Sequence, residues 1–443
     1  MALTAAEQYL LELINRARLD PAGEAARYGI DLNAGIAAGT ISTASKQVLA
    51  PNALLENAAI GHSQWMLAAD VFSHTGRGGS QPWDRAAQAG YGWSGIAENI
   101  SWRGSTGTLD LNAAIASHHQ GLFLSTTGHR QNMLNDAYQE IGIAQEYGSF
   151  TQSGRSYNAS MLTEDFAKPS VAKTFLTGVI YNDTDRNGFY SIGEGVAGTT
   201  FSAQDISASS AAAGGYAIGL KAAAEVTVTG KVDGLDFAFC VGMTTGNVKV
   251  DIVNHNVLLS SGSIGLNRGI NNLTLLGNAN LFATGNANDN AITGNDGANR
   301  FDGGAGNDVL LGRNGVDNLM GGLGSDKIIG GNGADRLAGG GGADQIDGGS
   351  GNDVLVGNLG SDAFVFANDF GRDVVVDFTL ADREKLVCDD MIWGGAALSA
   401  QQVVAQFAHV VSGKVVFEFS ANEVITLNNV SSTAGLADAM MIV

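Results

Sequence analysis

The sequence reads as a multidomain α+β chain that ends in a parallel β-roll, and three observations say so. Aspartates recur at every ninth residue from Asp308 to Asp362, each followed two places later by an apolar residue. Residues 173–270 alternate apolar and polar positions between Gly-rich turns, which is strand periodicity and predicts a β-sandwich. The first 168 residues instead begin with helical periodicity and hold five of the seven histidines. At 443 residues the chain is too long for one hydrophobic core to organise.

Structure is expected to begin at once. Thr4 followed by Glu7 forms a capping box, and Leu10, Leu13, Ile14 and Ala17 share one helical face. Glu7 and Glu12 interrupt that apolar stretch and no basic segment precedes it, so it does not read as a secretory leader. No apolar run is long enough for a transmembrane helix. The balance of 24 basic to 44 acidic residues, a net −20, disfavours nucleic acid and makes divalent cations the natural partners. Cys240 and Cys388 are too few and too far apart to define a disulfide framework.

Candidate chemistry concentrates in residues 1–168, where His62, His74, His118, His119 and His129 stand with Glu98. The spacing places His74 at the end of a helix running through Trp65 and Phe72, and Gly128 ahead of a new helix carrying His129, Arg130, Asn132 and Met133. His62, at helical spacing from Trp65 and Met66, reads as structural. His118 and His119 are adjacent and face different ways, so at most one can join a cavity. Imidazoles and a carboxylate can bind a divalent metal or move protons. There is no H-E-x-x-H helix, and "GWSGI" lacks the last glycine of a nucleophile elbow, which disfavours zincin protease and serine esterase. The stretches "SHTG", "AGY", "AENI", "GHRQNML" and "EIGIA", in that order, resemble the CAP superfamily (cysteine-rich secretory proteins, antigen 5, pathogenesis-related 1) in its bacterial branch. The resemblance implies an α-β-α sandwich over 1–168 and a cavity lined by His74, Glu98 and His129. The family's second glutamate is not evident, and His118 or His119 lies near its place, His118 being the one assigned to the cavity. A divalent metal such as Zn²⁺ is the cofactor such a cavity implies.

The middle segment contains "YNDTDRNGFYSIGEGVAG". Asp183, Asp185, Asn187, Gly188, Ser191 and Glu194 occupy positions 1, 3, 5, 6, 9 and 12 of a calcium loop, with the Phe189 carbonyl at position 7. Strand-like flanks replace the helices of an EF-hand. This part resembles the B-type repeat domains of Gram-positive surface adhesins, where such loops sit between strands.

In the array, Asp308, Asp317, Asp326, Asp335, Asp344, Asp353 and Asp362 are spaced by nine, and Asn299 and Asn290 continue the phase upstream. The apolar positions are Ile292, Phe301, Leu310, Leu319, Ile328, Leu337, Ile346, Leu355 and Phe364. Glycines supply turns with positive φ and exposed carbonyls, and the apolar residues stack inward from short strands, so stability arises only between turns. Successive turns alternate sides: Asp308, Asp326, Asp344 and Asp362 should line one edge, and Asp317, Asp335 and Asp353 the other. Aspartates and Gly carbonyls are hard oxygen ligands that select Ca²⁺. The expected turn residues are Gly304, Gly306, Gly315, Gly322, Gly324, Gly331, Gly333, Gly340, Gly342, Gly349, Gly351 and Gly360, with Arg313 and Asn358 replacing glycine and weakening their turns. The motif resembles the repeats-in-toxin family over a roll at 276–366. By that resemblance, 367–443 is a post-repeat flank ending in a type I secretion signal, "LADAMMIV". The expectation is a secreted or cell-surface protein, exported by type I secretion machinery, whose Ca²⁺-folded tail supports a CAP module with an unknown extracellular ligand. An extracellular hydrolase using the His/Glu cavity and a calcium-dependent adhesive or matrix protein are the alternatives.

Overall fold

The computed structural model describes residues 2–244 and 246–443. It forms two compact units, one of residues up to 237 together with 241–255, the other of 238–240 with 256–443.

The first unit opens with helix α1 (Ala5–Leu19), whose Thr4 side chain accepts from the Glu7 N–H while Glu7 reaches back to the Thr4 backbone. Helix α2 (Pro21–Arg27) follows, then strand β1 (Ala50–Pro51), α3 (Ala53–Ala69), α4 (Pro82–Gln88), β2 (Trp93–Ser105), α5 (Leu111–Leu124), α6 (His129–Met133), β3 (Glu140–Gln152) and β4 (Arg155–Pro169). The four strands make one sheet in the order β1-β3-β4-β2. Alternation along the strands serves both faces. Ile141, Ile143, Leu162 and Phe166 pack with Leu10, Ile14, Ile115 and Phe123 of α1 and α5. Ile100, Met161 and Ala159 pack with Met66 of α3 on the other side. The domain is thus a helix-sheet-helix sandwich, as the sequence resemblance implies. Gly142 lets α3 lie against β3, because a Cβ there would stand 2.2 Å from the Leu55 carbonyl carbon.

The middle segment is a sandwich of short strands. β5 (Thr174–Tyr181) pairs antiparallel with the strand at Gly215–Leu220 and parallel with the strand at Val248–Val253. The strand at Thr200–Ala203 pairs with those at Ile206–Ser209 and Ala223–Val232. Between the layers Phe201 stacks on Tyr216 at 4.3 Å and meets Phe237 edge-on. This segment packs on α1 through a buried charge cluster: Lys249 Nζ lies 2.8 Å from Glu12 and bonds Asp251, and Gln8 donates to Glu12 at 2.7 Å.

The second unit is built on a parallel solenoid in which, through the nonapeptide array, each strand pairs with the one 18 residues further on; its strands at 408–411, 414–418 and 424–427 pair antiparallel. Phe301, Leu319, Leu337 and Leu355 align in one sheet, and Ile292, Leu310, Ile328, Ile346 and Phe364 in the other. All are essentially inaccessible. A Cβ on Gly333 would stand 1.5 Å from the Gly315 carbonyl oxygen, so close stacking requires glycine there. Arg313 and Asn358 adopt φ 82° and 67°, the left-handed conformation glycine holds at the equivalent positions. Parallel pairing continues beyond the array, with Val354 opposite Val374, Phe364 opposite Leu386 and Leu386 opposite Met440. Cys388 is buried, and Cys240 and Cys388 form no disulfide. Among the described residues no helix is long and apolar enough to cross a membrane.

Candidate functional site

Glu98 on β2 faces α3 and α4 and is the centre of a polar pocket in the first domain. His74 Nδ1 lies 2.8 Å from Glu98 Oε1, the Arg85 guanidinium bonds Glu98 Oε2, and His62 Nε2 lies 3.8 Å from Oε1. Arg85 also donates to the carbonyls of His74, at 3.2 Å, and Ser80, at 2.9 Å, pinning the loop that carries His74. That loop differs from the expected helix end. Asp70, in the left-handed conformation, stops α3 at Ala69, short of Phe72. His74 is half exposed, its side chain 49% accessible, whereas Glu98 and His62 are buried.

Sequence reasoning missed three members of this pocket. His62, read as structural, sits against Glu98, with burial pushing its imidazole down to about 4. Arg85 comes from α4, and Asp165 lies opposite Glu98 on the neighbouring strand. Both Asp165 oxygens are buried without a hydrogen-bond partner, and desolvation followed by the Glu98 charge holds this carboxyl well above the usual range. Strand register, which a lone sequence does not reveal, brings Asp165 there.

The expected place of His118 is corrected. It lies on the opposite face of the sheet, where Nδ1 meets Ser101 Oγ at 2.8 Å and Nε2 meets Ser160 Oγ at 2.9 Å, because Ser101 and Glu98 are an odd number of residues apart on one strand. Burial, then Arg103, pushes it down to about 3. His119 bonds Glu24 at 2.9 Å, so neither histidine joins the pocket. His129 opens α6 behind Gly128 as expected, and its ring turns to Ser125 Oγ at 3.0 Å. Asn132 donates to Asn99 Oδ1 and the Glu98 carbonyl, tying α6 to β2. The residues do not fit Zn²⁺: both Glu98 oxygens are engaged, and Arg85 already supplies the positive charge there. What the pocket offers is a carboxylate-imidazole dyad able to exchange a proton at His74 Nε2 or to hold a polar ligand.

In the 183–194 loop the carboxylates converge. Among the described residues, Asp183, Asp185 and Glu194 are the group of three whose ligand atoms lie within 4.8 Å of one another. The backbone shapes the loop: the Gly188 N–H donates to Asp183 Oδ2, the Asn187 N–H to Asp183 and Asp185, and the Thr184 and Ser191 N–H groups to Glu194. Gly188 takes φ 74° at the sharp turn. The Phe189 ring packs against the Arg16 guanidinium of α1 at 4.8 Å.

The array aspartates form two columns. In one, the N–H groups of Asp308, Asp326 and Asp344 donate to Oδ1 of Asp326, Asp344 and Asp362 at 2.7–2.9 Å. In the other, Asp317 and Asp335 donate likewise to Asp335 and Asp353. Each Oδ2 is buried with no partner. Desolvation raises these carboxyls, Asp308 and Asp353 to about 7 and Asp317 and Asp344 to about 6. The turn glycines share the same cradle: a Cβ on Gly321 would lie 2.3 Å from Asp326 Oδ2 and 2.7 Å from the Gly339 carbonyl oxygen. Unpaired buried carboxylate oxygens beside carbonyl oxygens fit a hard divalent cation. At the upstream end Asn290 and Asn299 accept nothing from a charge and instead take their place in the columns as neutral rungs, their N–H groups donating to Asp308 and Asp317.

The cysteine-rich secretory protein family model matches residues 11–161, and the RTX calcium-binding nonapeptide repeat model matches four times, at 284–319, 293–328, 311–346 and 329–364. Among solved structures, the chain is similar to an extracellular protein containing a SCP domain from Bacillus anthracis str. Ames, at 24% identity and TM-score 0.21, covering 28% of this chain and 34% of that one. It is also similar to the extracellular lipase LipA from Serratia marcescens, at 15% identity and TM-score 0.20, covering 40% and 42%. The chain therefore spans less than half the length of either. No curated protein matches it by sequence. The chain carries a CAP domain of the cysteine-rich secretory protein family, followed by RTX calcium-binding nonapeptide repeats.

Proposed function

We propose that this is a secreted calcium-binding protein in which Ca²⁺ folds the roll outside the cell and the CAP domain binds an extracellular ligand. The observation that carries the reading is the pair of columns of buried, unpartnered Asp Oδ2 atoms. Without a cation these carboxylates repel one another and lack compensation for burial, so the roll stays open at cytosolic calcium. At about millimolar calcium outside, binding free energy becomes folding free energy. A tail unfolded inside and folded outside suits passage through type I secretion machinery. The 183–194 loop supplies a second kind of site, with Asp183, Asp185, Asn187, Ser191, Glu194 and the Phe189 carbonyl as ligands.

The test is a Ca²⁺ titration of metal-stripped full-length protein, followed by far-UV circular dichroism, beside Asp326→Asn/Asp335→Asn. Wild type should gain β-signal with a sharp midpoint, and the double variant should need several-fold more calcium. Equal spectra with and without calcium would remove the reading. The half-exposed His74 on Glu98 favours a second reading, an extracellular hydrolase using this dyad. His74→Gln should then abolish turnover of ester or peptide substrates without changing the calcium midpoint.

A further inference from the structure

The carboxylate columns do not stop where the nine-residue spacing does. Past Asp353, the next rung in the same sheet is Asp373, twenty residues on: Val354 aligns with Val374, and the Asp353 N–H donates to Asp373 Oδ1 at 2.9 Å. Past Asp362, the register pairs Ala363 with Lys385 and Phe364 with Leu386, which sets Glu384 level with Asp362, twenty-two residues on. The longer connections are why a period of nine does not find them.

At Glu384 the substitution is chemical as well as positional. At Asp308, Asp317, Asp326 and Asp335 the oxygen that shares the glycine cradle with Asp Oδ2 is a neutral carbonyl one rung on: a Cβ on Gly303 would lie 2.5 Å from Asp308 Oδ2 and 2.4 Å from the Gly321 carbonyl oxygen, and Gly312, Gly321 and Gly330 repeat this with Gly330, Gly339 and Gly348. At Gly357, the last cradle of this column, Asp362 Oδ2 stands at 2.4 Å and the second oxygen is Glu384 Oε1, at 3.0 Å. Asp362 and Glu384 are buried, and Asp362 Oδ2 has no hydrogen-bond partner. The other Glu384 oxygen accepts the Thr379 N–H at 2.6 Å, and Phe378 packs against Phe364, so the flank fixes the carboxylate over the cradle. Asp377 accepts the N–H groups of Gly357 and Asn358, which have no further strand to pair with on this side.

We infer that Glu384 and Asp362 hold a terminal Ca²⁺ that closes the roll, with turn carbonyls and water completing its shell. Two carboxylates in place of a carboxylate and a carbonyl make this site more negative than an interior one, so it binds calcium more tightly than the rungs it caps. The inference rests on the roll being calcium-bound and deepens that reading by assigning a ligand outside the repeats.

Equilibrium dialysis of full-length protein against ⁴⁵Ca²⁺ tests it. Glu384→Gln keeps an oxygen for the Thr379 N–H while removing the charge, and should bind one ion fewer per chain, losing the tightest phase of the isotherm. Unchanged stoichiometry and affinity in that variant would overturn the inference while leaving the calcium-roll reading standing. Absence of binding by wild type would overturn both. Anomalous scattering from wild-type crystals grown with calcium needs no variant to fold. A peak between Asp362 and Glu384 is expected, and peaks along Asp308–Asp344 with none at Glu384 would refute it.

Discussion

Leu319→Ala isolates the stacking that the roll depends on. Leu319 is fully buried and sits in register between Phe301 and Leu337, so truncation leaves a void that neither neighbour can fill without leaving its own rung. Such truncations cost about 3–5 kcal/mol, and the lower figure suits a site open to some relaxation. On the proposed reading, in which calcium binds only the folded roll, that loss appears as a shift in the calcium needed to fold it. Spread over the seven repeat aspartates at one ion each, ~3 kcal/mol is about 0.4 kcal/mol per ion, or roughly a twofold rise in midpoint calcium. Met320 on the same strand points outward and is 41% exposed, so Met320→Ala should stay within about 0.5 kcal/mol. Circular dichroism against buffered calcium reads both. Coincident midpoints for the two variants would refute the inward stack as the source of stability.

Gly321→Ala places a methyl 2.3 Å from Asp326 Oδ2 and 2.7 Å from the Gly339 carbonyl oxygen, inside one cradle. It should cost about 1–3 kcal/mol as overpacking and remove one ion from the dialysis stoichiometry. Arg85→Met leaves Glu98 and Asp165 side by side without their buried cation. The melting temperature of the first unit should fall by an amount worth about 3–5 kcal/mol. With the Asp165 carboxyl already held above its usual range and its cation gone, the deficit should narrow as pH falls, which differential scanning calorimetry at several pH values would show. His118, held down at about 3 by burial, gives stability that is full above an unfolded value of about 6.5 and is lost as pH falls toward 3. By pH 5 wild type has given up about 2 kcal/mol through this group. The stability gap between wild type and His118→Asn should therefore shrink by that amount between pH 7.5 and 5, and a constant gap would count against a neutral buried imidazole.

The roll was legible because its determinant is local and repeated. Each turn carries its own glycines, aspartate and apolar residue, so period alone predicts that Asp308 and Asp326 share an edge. The 183–194 loop was legible for the same reason, with its carboxylates all within twelve positions. The CAP pocket was legible only in part. His74 and Glu98 stand in motifs, but Asp165 reaches Glu98 through strand register and Arg85 through the packing of α4, neither of which leaves a spacing to count. His118 shows the converse error: adjacency in sequence to a family position says nothing about which face of a sheet a helix covers. Asp373 and Glu384 escaped because the flank lengthens the connection while conserving the rung.

The Glu12–Lys249 contact sets a condition on how this CAP domain can be recombined. Cut away from residues 173–255, its first helix would present Glu12 to water, where a carboxylate is at ease. Fused to any other neighbour that covered the same face with apolar side chains, it would bury that charge with no cation to meet it. Part of the compatibility between the two modules is thus written in this pair, beside contacts such as Phe189 on Arg16, and a chimera that moves the CAP domain must move a lysine at the matching place with it.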